Sequence, residues 1–481
     1  MTTYVVIGAK RIQQWIARTP RLALTKGASH ALTTRTSCNY LRDKLPNGLR
    51  LSGEVPDIAG VVVLESDDGV ADDTVRAAIT MVAKDLPGLE WSAWVYEAAS
   101  YVEAYQYTGG GQRCARVYHV VPATRRLPML AECEGCHEES AERAVNLPDG
   151  KGSYGADCVV RREAFKEWKD TPKPREDGVA EPEMFEHLTK LEEPGDDDHP
   201  VRAMGRRDAD NHLALILADG NRMGDFFKEV AQLKDPQAHK ALSKALDDAT
   251  REAARRAREA VIATMVNPRY CPDVLHYVGG DDVMASVAGR FAWTWAVTLA
   301  EAFEIEFQSR VEAFETEFQS RVNDVCADRG SKFEEVKKAA KSASLGVGMV
   351  FTHVKAPFAG ARELAEEMEK IAKKKGKGEK SYIAWADTTV DHKALERNVI
   401  DTELAFEELR GGHVLRGLGP SARSALKQEL DAGRDAVAWA TRTGRPETAK
   451  YLEGHCEDQV YADLDRARWW PVVEEIKEGQ E

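Results

Sequence analysis

An apolar run of strand length, residues 213–218, begins the most informative part of the hydrophobic pattern. The run ends at Asp219-Gly220, and the apolar residues Phe226 and Val230 then recur at helical spacing. This change of period predicts a strand that turns directly into an amphipathic helix. It also predicts that the carboxylate of Asp219 lies at the strand-to-helix turn.

Two β-rich runs within residues 274–287 surround a second turn. Gly279 and Gly280 separate the runs and can adopt the positive φ angles of a tight hairpin. Asp281 and Asp282 follow the glycines immediately. The pattern predicts a hairpin with two adjacent carboxylates at its turn.

If these strands are neighbours in one sheet, Asp219, Asp281 and Asp282 converge at its rim. Adjacent like charges are unfavourable, and a hard divalent cation with oxygen ligands is the usual compensation. Two such ions, about 3.5–4 Å apart, support in-line attack on a phosphorus atom. We therefore predict metal-dependent nucleotidyl transfer. The alternative is a polar hairpin, with Asp219 acting only as a helix cap.

The N-terminal region repeats the alternation of strand and helix. Residues 3–8, 58–64 and 89–101 have strand patterns, and residues 12–16 and 72–84 have helical ones. This order is typical of an α/β sandwich of the ferredoxin-like kind.

A second acidic turn lies in this N-terminal region. Glu65, Asp67 and Asp68 follow a predicted strand as Asp219 does, but no Gly-Gly-Asp-Asp partner accompanies them. Two interpretations remain open here, a second metal site and a solvated acidic turn.

Composition and charge narrow the class of protein. The chain has 481 residues, enough for two to four domains, with 43% hydrophobic and 30% charged residues. It contains no signal-peptide pattern and no apolar run long enough to span a bilayer, so we expect a cytoplasmic protein without membrane contacts. The net charge of −14 argues against a protein that coats nucleic acid. Any RNA contact is expected to be local or made through partners.

Three of the eight cysteines have metal-ligand spacing. Cys133 and Cys136 form a close pair, and Cys158 follows, but Arg161 occupies the place where a fourth cysteine would complete a zinc knuckle. His137 could supply the fourth ligand. A structural Zn²⁺ site and an eroded knuckle without metal are the two alternatives.

An eleven-residue repeat, 301–311 and 312–322, occupies the region after the hairpin. Eleven residues fit three helical turns closely, so the repeat predicts one long helix with an apolar stripe that includes Phe303, Phe314 and Phe318. We interpret the stripe as a packing surface, with a partner-binding helix as the alternative. Residues 240–261 predict a charged helix over the sheet.

The order of these motifs resembles the palm domain shared by nucleotide cyclases and polymerases. In detail it resembles the large, cyclic-oligoadenylate-making subunit of type III CRISPR effector complexes. Residues 345–358 are similar to the strand and helix that follow the Gly-Gly-Asp-Asp turn in that family, and residues 371–373 are similar to the end of that helix. Diguanylate cyclases carry a related turn, but Asp282-Val283 departs from their Glu-Phe.

The resemblance implies an α/β (α+β) protein with two ferredoxin-like palm domains, the first degenerate, a zinc-knuckle-like insert and a C-terminal helical domain. The expected domains are 1–128 (degenerate palm), 129–211 (cysteine knuckle and linker), 212–390 (catalytic palm) and 391–481 (helical).

The resemblance also implies the reaction, the condensation of ATP into cyclic oligoadenylates. Asp219, Asp281 and Asp282 would be the catalytic residues and would hold two Mg²⁺ or Mn²⁺ ions. The expected nucleotide-binding residues are Gly220, Asn221, Arg222, Met223, Gly279, Gly280, Lys355 and Lys373, and in the family the lysine corresponding to Lys373 lies near the phosphates.

The implied partners are ATP and the other subunits of a type III complex, with guide RNA and target RNA contacted mainly through that complex. None of the twelve histidines is followed by Asp, so we expect no HD-type nuclease. The alternatives are a stand-alone nucleotide cyclase and a catalytically silent, ATP-binding scaffold subunit.

Overall fold

Two β-sheets, one in each half of the molecule, organise the fold of this computed structural model. The structure describes residues 1–108, 116–122, 126–127, 129–147, 150–171, 179–191, 211–321, 327–389, 396, 398–411 and 413–469. Most buried apolar side chains of both halves form one continuous hydrophobic core, and two smaller clusters are separate from it. Within the described residues, no helix has the length and apolar character needed to cross a membrane.

The first sheet is antiparallel, and its central strand is the first strand of the chain. Its strands are β1 (Thr2–Lys10), β2 (Arg50–Leu51), β3 (Val61–Ser66), β4 (Glu90–Ala98) and β5 (Arg116–Val120), in the order β2-β3-β1-β4-β5. The helices of this half are α1 (Ile12–Ala17), α2 (Leu22–Arg35), α3 (Cys38–Leu41), α4 (Asp72–Asp85) and α5 (Tyr101–Thr108). The alternation predicted for this region is confirmed.

A small insert follows the first sheet. It contains the hairpin β6 (Arg143–Leu147) and β7 (Gly150–Tyr154) and helix α6 (Ala156–Asp170), which packs against α2. Much of the linker predicted within residues 129–211 lies outside the described residues. Its described part is anchored, because the 3-10 helix Phe185–Thr189 buries Phe185 and Leu188 in the core.

The second sheet has its central strand at the start of the second half. Its strands are β8 (His212–Asn221), β9 (Asp273–Gly279), β10 (Asp282–Ala288), β11 (Ser344–His353), β12 (Tyr382–Asp387) and β13 (Val399–Asp401), in the order β13-β12-β11-β8-β10-β9. Its helices are α7 (Met223–Gln232), α8 (Pro236–Ile262), α9 (Ala292–Arg321), α10 (Ala327–Lys341) and α11 (Phe358–Gly376). Among the described strands of this sheet, β11 and β12 are the only pair that is parallel.

The eleven-residue repeat forms the middle and end of α9, as predicted. Phe303, Phe307, Val311, Phe314 and Phe318 are all buried, and together they form one apolar face of this helix. The interpretation as a packing surface is therefore confirmed for these residues, whereas Val322 lies outside the described part of the chain.

The C-terminal region is helical after one short strand. Its helices are α12 (Thr402–Gly411), α13 (Pro420–Asp431), α14 (Ala436–Arg442), α15 (Pro446–Gly454) and α16 (Glu457–Ala467). The prediction of helices throughout 391–481 is wrong at β13, which adds an edge strand to the second sheet. Trp469 fastens this region to the sheet by stacking on Phe351, at 4.4 Å between ring centroids.

Two helix pairs are among the contacts between the two halves. Helix α5 of the first half packs against α7 of the second, and α1 of the first half packs against α11 of the second. Each pair contains the first helix of one half, α1 or α7, and a later helix of the other half.

Candidate nucleotide and metal sites

Strand β8 and the β9–β10 hairpin bring the predicted catalytic carboxylates to one end of the second sheet. Strand β8 pairs with β10 so that Ala218 lies opposite Val283, and Asp282 lies opposite Gly279 across the turn. Gly280 has a φ of 63°, in the left-handed region that a tight turn uses and that glycine adopts without strain. The neighbouring strands and the hairpin predicted from the sequence are confirmed.

Gly220 allows the hairpin to approach β8 closely. A Cβ at this position would lie 2.7 Å from both Cβ and Oδ2 of Asp281, and 2.7 Å from Cγ of Met223. Any larger residue would therefore push the Asp281 carboxylate away from the strand that carries Asp219. This is a geometric role for a glycine that the sequence pattern marks only as part of a turn.

Burial and the neighbouring Asp219 raise the pKa values of the two hairpin carboxylates. Burial and the neighbouring charge of Asp219 raise the pKa of Asp281 to about 7. Burial, Asp219 and Asp281 together raise the pKa of Asp282 to about 8. Both hairpin carboxyls therefore hold protons near neutral pH unless a cation compensates their charge.

Lys373 reaches this end of the sheet from α11. Its ammonium group pairs with Asp219 and lies 3.4 Å from Oε1 of Glu369, one turn earlier on the helix. Burial disfavours the charged ammonium, but Asp219 and Glu369 outweigh that effect and raise the pKa of Lys373. The structure thus brings Lys373 to the site, and Lys373 contacts a carboxylate there.

Two glycines on β11 make this approach possible. Gly346 lies opposite Asp219 in the sheet, and a Cβ on it would lie 2.4 Å from Cγ of Lys373. A Cβ on Gly348 would lie 2.0 Å from the carbonyl oxygen of Ala365. Helix α11 can therefore lie directly on the strand, which carries Lys373 across Gly346 to Asp219.

Sequence reasoning missed Glu369 and Tyr105. Glu369 is buried, and its pKa is raised to about 7 by burial, against the effect of Lys373 and with that of Asp219. Tyr105 belongs to α5 of the first half, and burial and the charge of Asp281 raise its pKa. The sequence signal for Glu369 was its position four residues before Lys373, which is helical spacing. No local signal points to Tyr105.

Other predicted nucleotide-binding residues also lie near the start of α7. Arg222 has a φ of 59° and is the N-cap of this helix, and its Nε lies 3.4 Å from Asp225. Met223 is buried, and the amide of Asn221 donates to Ser344 at 2.9 Å. The side chain of Asn221 is therefore engaged in holding β8 to the beginning of β11.

Lys355 is the predicted site residue that the structure places elsewhere. Strand β11 is antiparallel to β8, so its end at His353 lies opposite His212, the first residue of β8. Asp219 is near the other end of β8, which at about 3.3 Å per residue is roughly 20 Å away. Lys355 follows His353 and is exposed, and its assignment to the nucleotide site is corrected.

The three aspartates are close enough to interact but do not form a compact ligand set. Among the described residues, three or more His, Cys, Asp or Glu ligand atoms come within 4.8 Å of one another at one place only, the cysteine cluster. At the second sheet, Asp219 is instead engaged with Lys373. The oxygen donors are suited to divalent cations, and the pKa values of Asp281 and Asp282 are raised by burial and by the neighbouring Asp219.

The cysteine cluster contains Cys133, Cys136, Cys158 and Glu139, all buried. Cys133 and Cys136 lie on one turn, and Cys158 lies in the first turn of α6. Hydrogen bonds from Cys136 and Cys158 lower the pKa of the Cys133 thiol. Three sulfur ligands and one carboxylate oxygen fit a tetrahedral zinc ion.

The fourth group of the cluster is Glu139 rather than His137. His137 has a φ of 59° and a side chain that is 65% exposed, and its ring lies 3.9 Å from the Glu132 carboxylate. Oε1 of Glu139 instead accepts from the backbone N–H of Cys158 at 3.2 Å. The assignment of His137 as a zinc ligand is therefore corrected.

Arg161, at the place of the missing fourth cysteine, has a different task. It is completely buried and donates to Asp157 at 2.6 Å and to the carbonyl oxygen of Trp15 at 2.6 Å. Its guanidinium group also lies over the Trp15 ring. Arg161 thus joins α6 to α1.

The acidic turn of the first half is neutralised by an arginine. Arg50 donates to Glu65 at 2.9 Å and to Asp67 at 2.7 Å. Side-chain hydrogen bonds from Arg50 lower the pKa of Asp67. Of the two interpretations, the structure favours the solvated acidic turn.

The second half has the sheet of a palm domain, with carboxylates on the central strand and on the adjacent hairpin. Residues 212–384 match the family model described as the second palm domain of Cas10/Cmr2. This part of the chain is therefore similar to a second palm domain of that family, and the resemblance stated above is confirmed. The predicted fold class, α/β with palm domains, a knuckle-like insert and C-terminal helices, is also confirmed.

Solved structures similar to the chain include the apo Csm1-Csm4 cassette, with 14% identity, a TM-score of 0.47, and 99% of this chain and 69% of that chain covered. The Csm1-Csm4 cassette in complex with AMPPNP has 14% identity, a TM-score of 0.46, and coverage of 100% and 68%. Csm1 in T. onnurineus has 12% identity, a TM-score of 0.46, and coverage of 97% and 69%. No curated protein matches the sequence.

Proposed function

We propose that the chain condenses ATP into cyclic oligoadenylates as the large subunit of a type III CRISPR effector complex. The observation that carries the proposal is the set of Asp219, Asp281 and Asp282 at one end of a Cas10/Cmr2 second palm domain. A silent palm would have no need to keep three carboxylates together at the expense of their mutual repulsion.

In the proposed reaction, the 3′-hydroxyl of one nucleotide attacks the α-phosphorus of the next. A bond forms between O3′ and that phosphorus, the bond to the bridging oxygen breaks, and pyrophosphate leaves. Mg²⁺ or Mn²⁺, when bound, would activate the nucleophile and stabilise the leaving oxygen. Asp219, Asp281 and Asp282 would hold the cations through their oxygens.

Lys373 would exchange partners during this cycle. It is 29% exposed and bonded to Asp219, so incoming phosphate oxygens can compete for its ammonium group. Its transfer to the nucleotide would free Asp219 for a cation. Glu369, one helical turn away on the same face of α11, would compete with the phosphates for the ammonium group.

The pairing of Lys373 with Asp219 also favours control by assembly. The aspartates are not gathered into a compact ligand set, which suits a resting state that partner subunits and target RNA convert to an active one. A scaffold subunit that binds ATP without turning it over would show the same pairing. The two functions differ in whether product forms after assembly.

The test is an incubation of the protein with labelled nucleoside triphosphates and Mg²⁺. It is carried out on the chain alone, with partner subunits and guide RNA, and with complementary target RNA added. We expect cyclic oligoadenylate in the last condition. Product from the chain alone at the same rate would identify a stand-alone cyclase, and no product in any condition would identify a scaffold.

We also propose that Cys133, Cys136, Cys158 and Glu139 hold a structural Zn²⁺. Glu139→Gln should accelerate zinc loss to a chelator about tenfold, because the fourth ligand loses its charge. Glu138→Gln is the matched control, since the Glu138 side chain is 54% exposed and lies outside the cluster. Elemental analysis should find close to one zinc per chain. No zinc in protein prepared without chelator would instead indicate an eroded knuckle.

A further inference from the structure

A cavity of about 240 Å³ lies between the two halves, away from Asp219, Asp281 and Asp282. Its walls come from the ends of β1 and α1 in the first half and from the first turns of α11 in the second. Its charged lining residues are Lys10, Arg11, Arg18, Arg362, Glu90, Glu138 and Glu363. Arg362 and Lys373 are eleven residues apart on α11, so the cavity lies roughly 16 Å from the catalytic end of that helix.

Arg362 is the most informative residue of this cavity. Only 9% of the residue is exposed, and its Nη2 pairs with Glu366 on the same helix. Its Nε is buried without a hydrogen-bond partner. A buried guanidinium donor without an acceptor is unfavourable, so an oxygen-bearing ligand in the cavity would satisfy a group that the protein leaves unsatisfied.

The two other arginines of the wall differ in how their carboxylate neighbours engage them. Arg11 lies 3.7 Å from Glu90, which exceeds the distance of a good hydrogen bond, whereas Arg18 pairs with Asp157 through its Nη2. Arg11 also has a φ of 53°, an unfavourable conformation for a residue with a side chain. The fold thus holds this guanidinium at the mouth of the cavity despite backbone strain.

The lining favours a small, multiply charged oxyanion. Four cations against three carboxylates leave one net positive charge, which is too little for a nucleic-acid backbone. Planar guanidinium forks match the oxygen geometry of phosphate. The volume is sufficient for a pyrophosphate group with its bound water.

We propose that this cavity is a second, non-catalytic binding site for the phosphate groups of a small molecule, with Arg362 and Arg11 as the principal ligands. Two sources can supply this phosphate chemistry, free pyrophosphate and a nucleoside triphosphate. The proposal does not depend on the catalytic activity of the chain.

Calorimetry on the full chain in the absence of divalent cations tests this proposal. The titrants are inorganic pyrophosphate and, in a separate arm, ATP, and the protein carries Asp281→Ala and Asp282→Ala so that the catalytic centre is disabled. Arg362→Lys and Arg11→Gly are then added singly. Lys234→Gly is the matched control, because Lys234 is an exposed cation with a φ of 50° outside the cavity lining.

We expect one binding site for at least one titrant, with the Kd raised about tenfold or more by each arginine substitution and unchanged by the control. Tighter binding of ATP would identify a nucleotide as the source of the phosphate, and equal binding would identify free pyrophosphate. Absence of binding in both arms, or binding unaffected by Arg11→Gly, would overturn the proposal. If Arg362→Lys lowers the unfolding temperature, Arg11→Gly decides alone, because glycine suits its backbone.

Discussion

The two halves of the molecule share one strand order, but they differ in what lies at the end of the central strand. In both, a hairpin-linked pair lies on one side of the central strand and a later strand lies on the other. Each central strand ends before an arginine in the left-handed conformation, Arg11 in the first half and Arg222 in the second. Three residues earlier stand Gly8 and Asp219, respectively.

The partner strands show the same difference. Gly8 lies opposite Val61, whereas the pairing of Ala218 with Val283 places Asp219 beside the hairpin carboxylates. The carboxylates Glu65 and Asp67 of the first half lie toward the opposite end, since Glu65 pairs with Tyr4. The two halves thus share one strand arrangement, and the side chains at a few equivalent positions determine whether carboxylates gather at the end of the central strand. This comparison teaches that an acidic turn after a strand is informative only when the direction of the strand is known.

The largest expected effect comes from removing the carboxylates of the second half. Asp281→Ala with Asp282→Ala should reduce nucleotide condensation to background, because the cations lose most of their ligands. Thermal unfolding should show a folded protein of equal or higher stability, since the mutual repulsion is removed.

The matched variant in the first half is Glu65→Ala with Asp67→Ala. It should leave condensation unchanged, because those carboxylates bind Arg50 rather than a cation. Loss of product in this variant, measured in the same assay, would mean that the first half has a metal site after all.

Gly220→Ala sharpens the comparison without removing any charge. The added Cβ would come within 2.7 Å of Asp281 and should displace its carboxylate, lowering kcat about a hundredfold. Gly224→Ala, in the first turn of α7, is the control, because a Cβ there meets no atom within 4 Å. The control should keep its activity and gain up to about 1 kcal/mol of stability. Equal activity of the two variants would contradict the proposed close approach.

Local patterns were sufficient to predict the strand, the turn and the hairpin of this site. The period of apolar residues defined β8 and α7, and Gly279 and Gly280 defined the turn. The patterns did not reveal the direction of the strands or how closely a helix can pack on the sheet. Lys355 was misplaced because the direction of β11 was not used, although the sequence places Lys355 after the strand and Gly346 near its start.

The missed residues depend on packing between distant segments. Glu369 reaches the aspartates because Gly346 and Gly348 admit α11 onto the sheet, and Tyr105 comes from the other half of the molecule. His137 is adjacent to Cys136 in sequence, but its backbone conformation turns it outward, and Glu139 takes its place. Adjacency along the chain therefore does not determine which side chains share a site.

The carboxylates of the second half should also determine how the stability of the protein depends on pH. The folded-state pKa values of Asp281 and Asp282 are about 7 and about 8, against a usual value of 3.8. Because the folded protein retains protons that the unfolded chain releases, the free energy of unfolding without metal should fall as the pH rises from about 4 to about 8. Thermal unfolding across this range should show the fall, and Asp281→Asn with Asp282→Asn should reduce it. A metal-free protein whose stability rises across the range would contradict the assignment.

The smallest expected effect concerns Glu369. Its carboxylate and that of Asp219 both hold Lys373, so Glu369→Gln should release the ammonium group for the phosphates and lower KM for ATP about threefold. Lys373→Met should raise KM instead, and Glu367→Gln, an exposed neighbour on α11, should change neither constant. If Glu369 served only to stabilise the helix, its substitution would lower the unfolding temperature and leave KM unchanged. A lower KM at an unchanged unfolding temperature would therefore mean that the second half differs from the first by Lys373 as well as by its carboxylates. A lower unfolding temperature at an unchanged KM would leave the carboxylates alone as the difference.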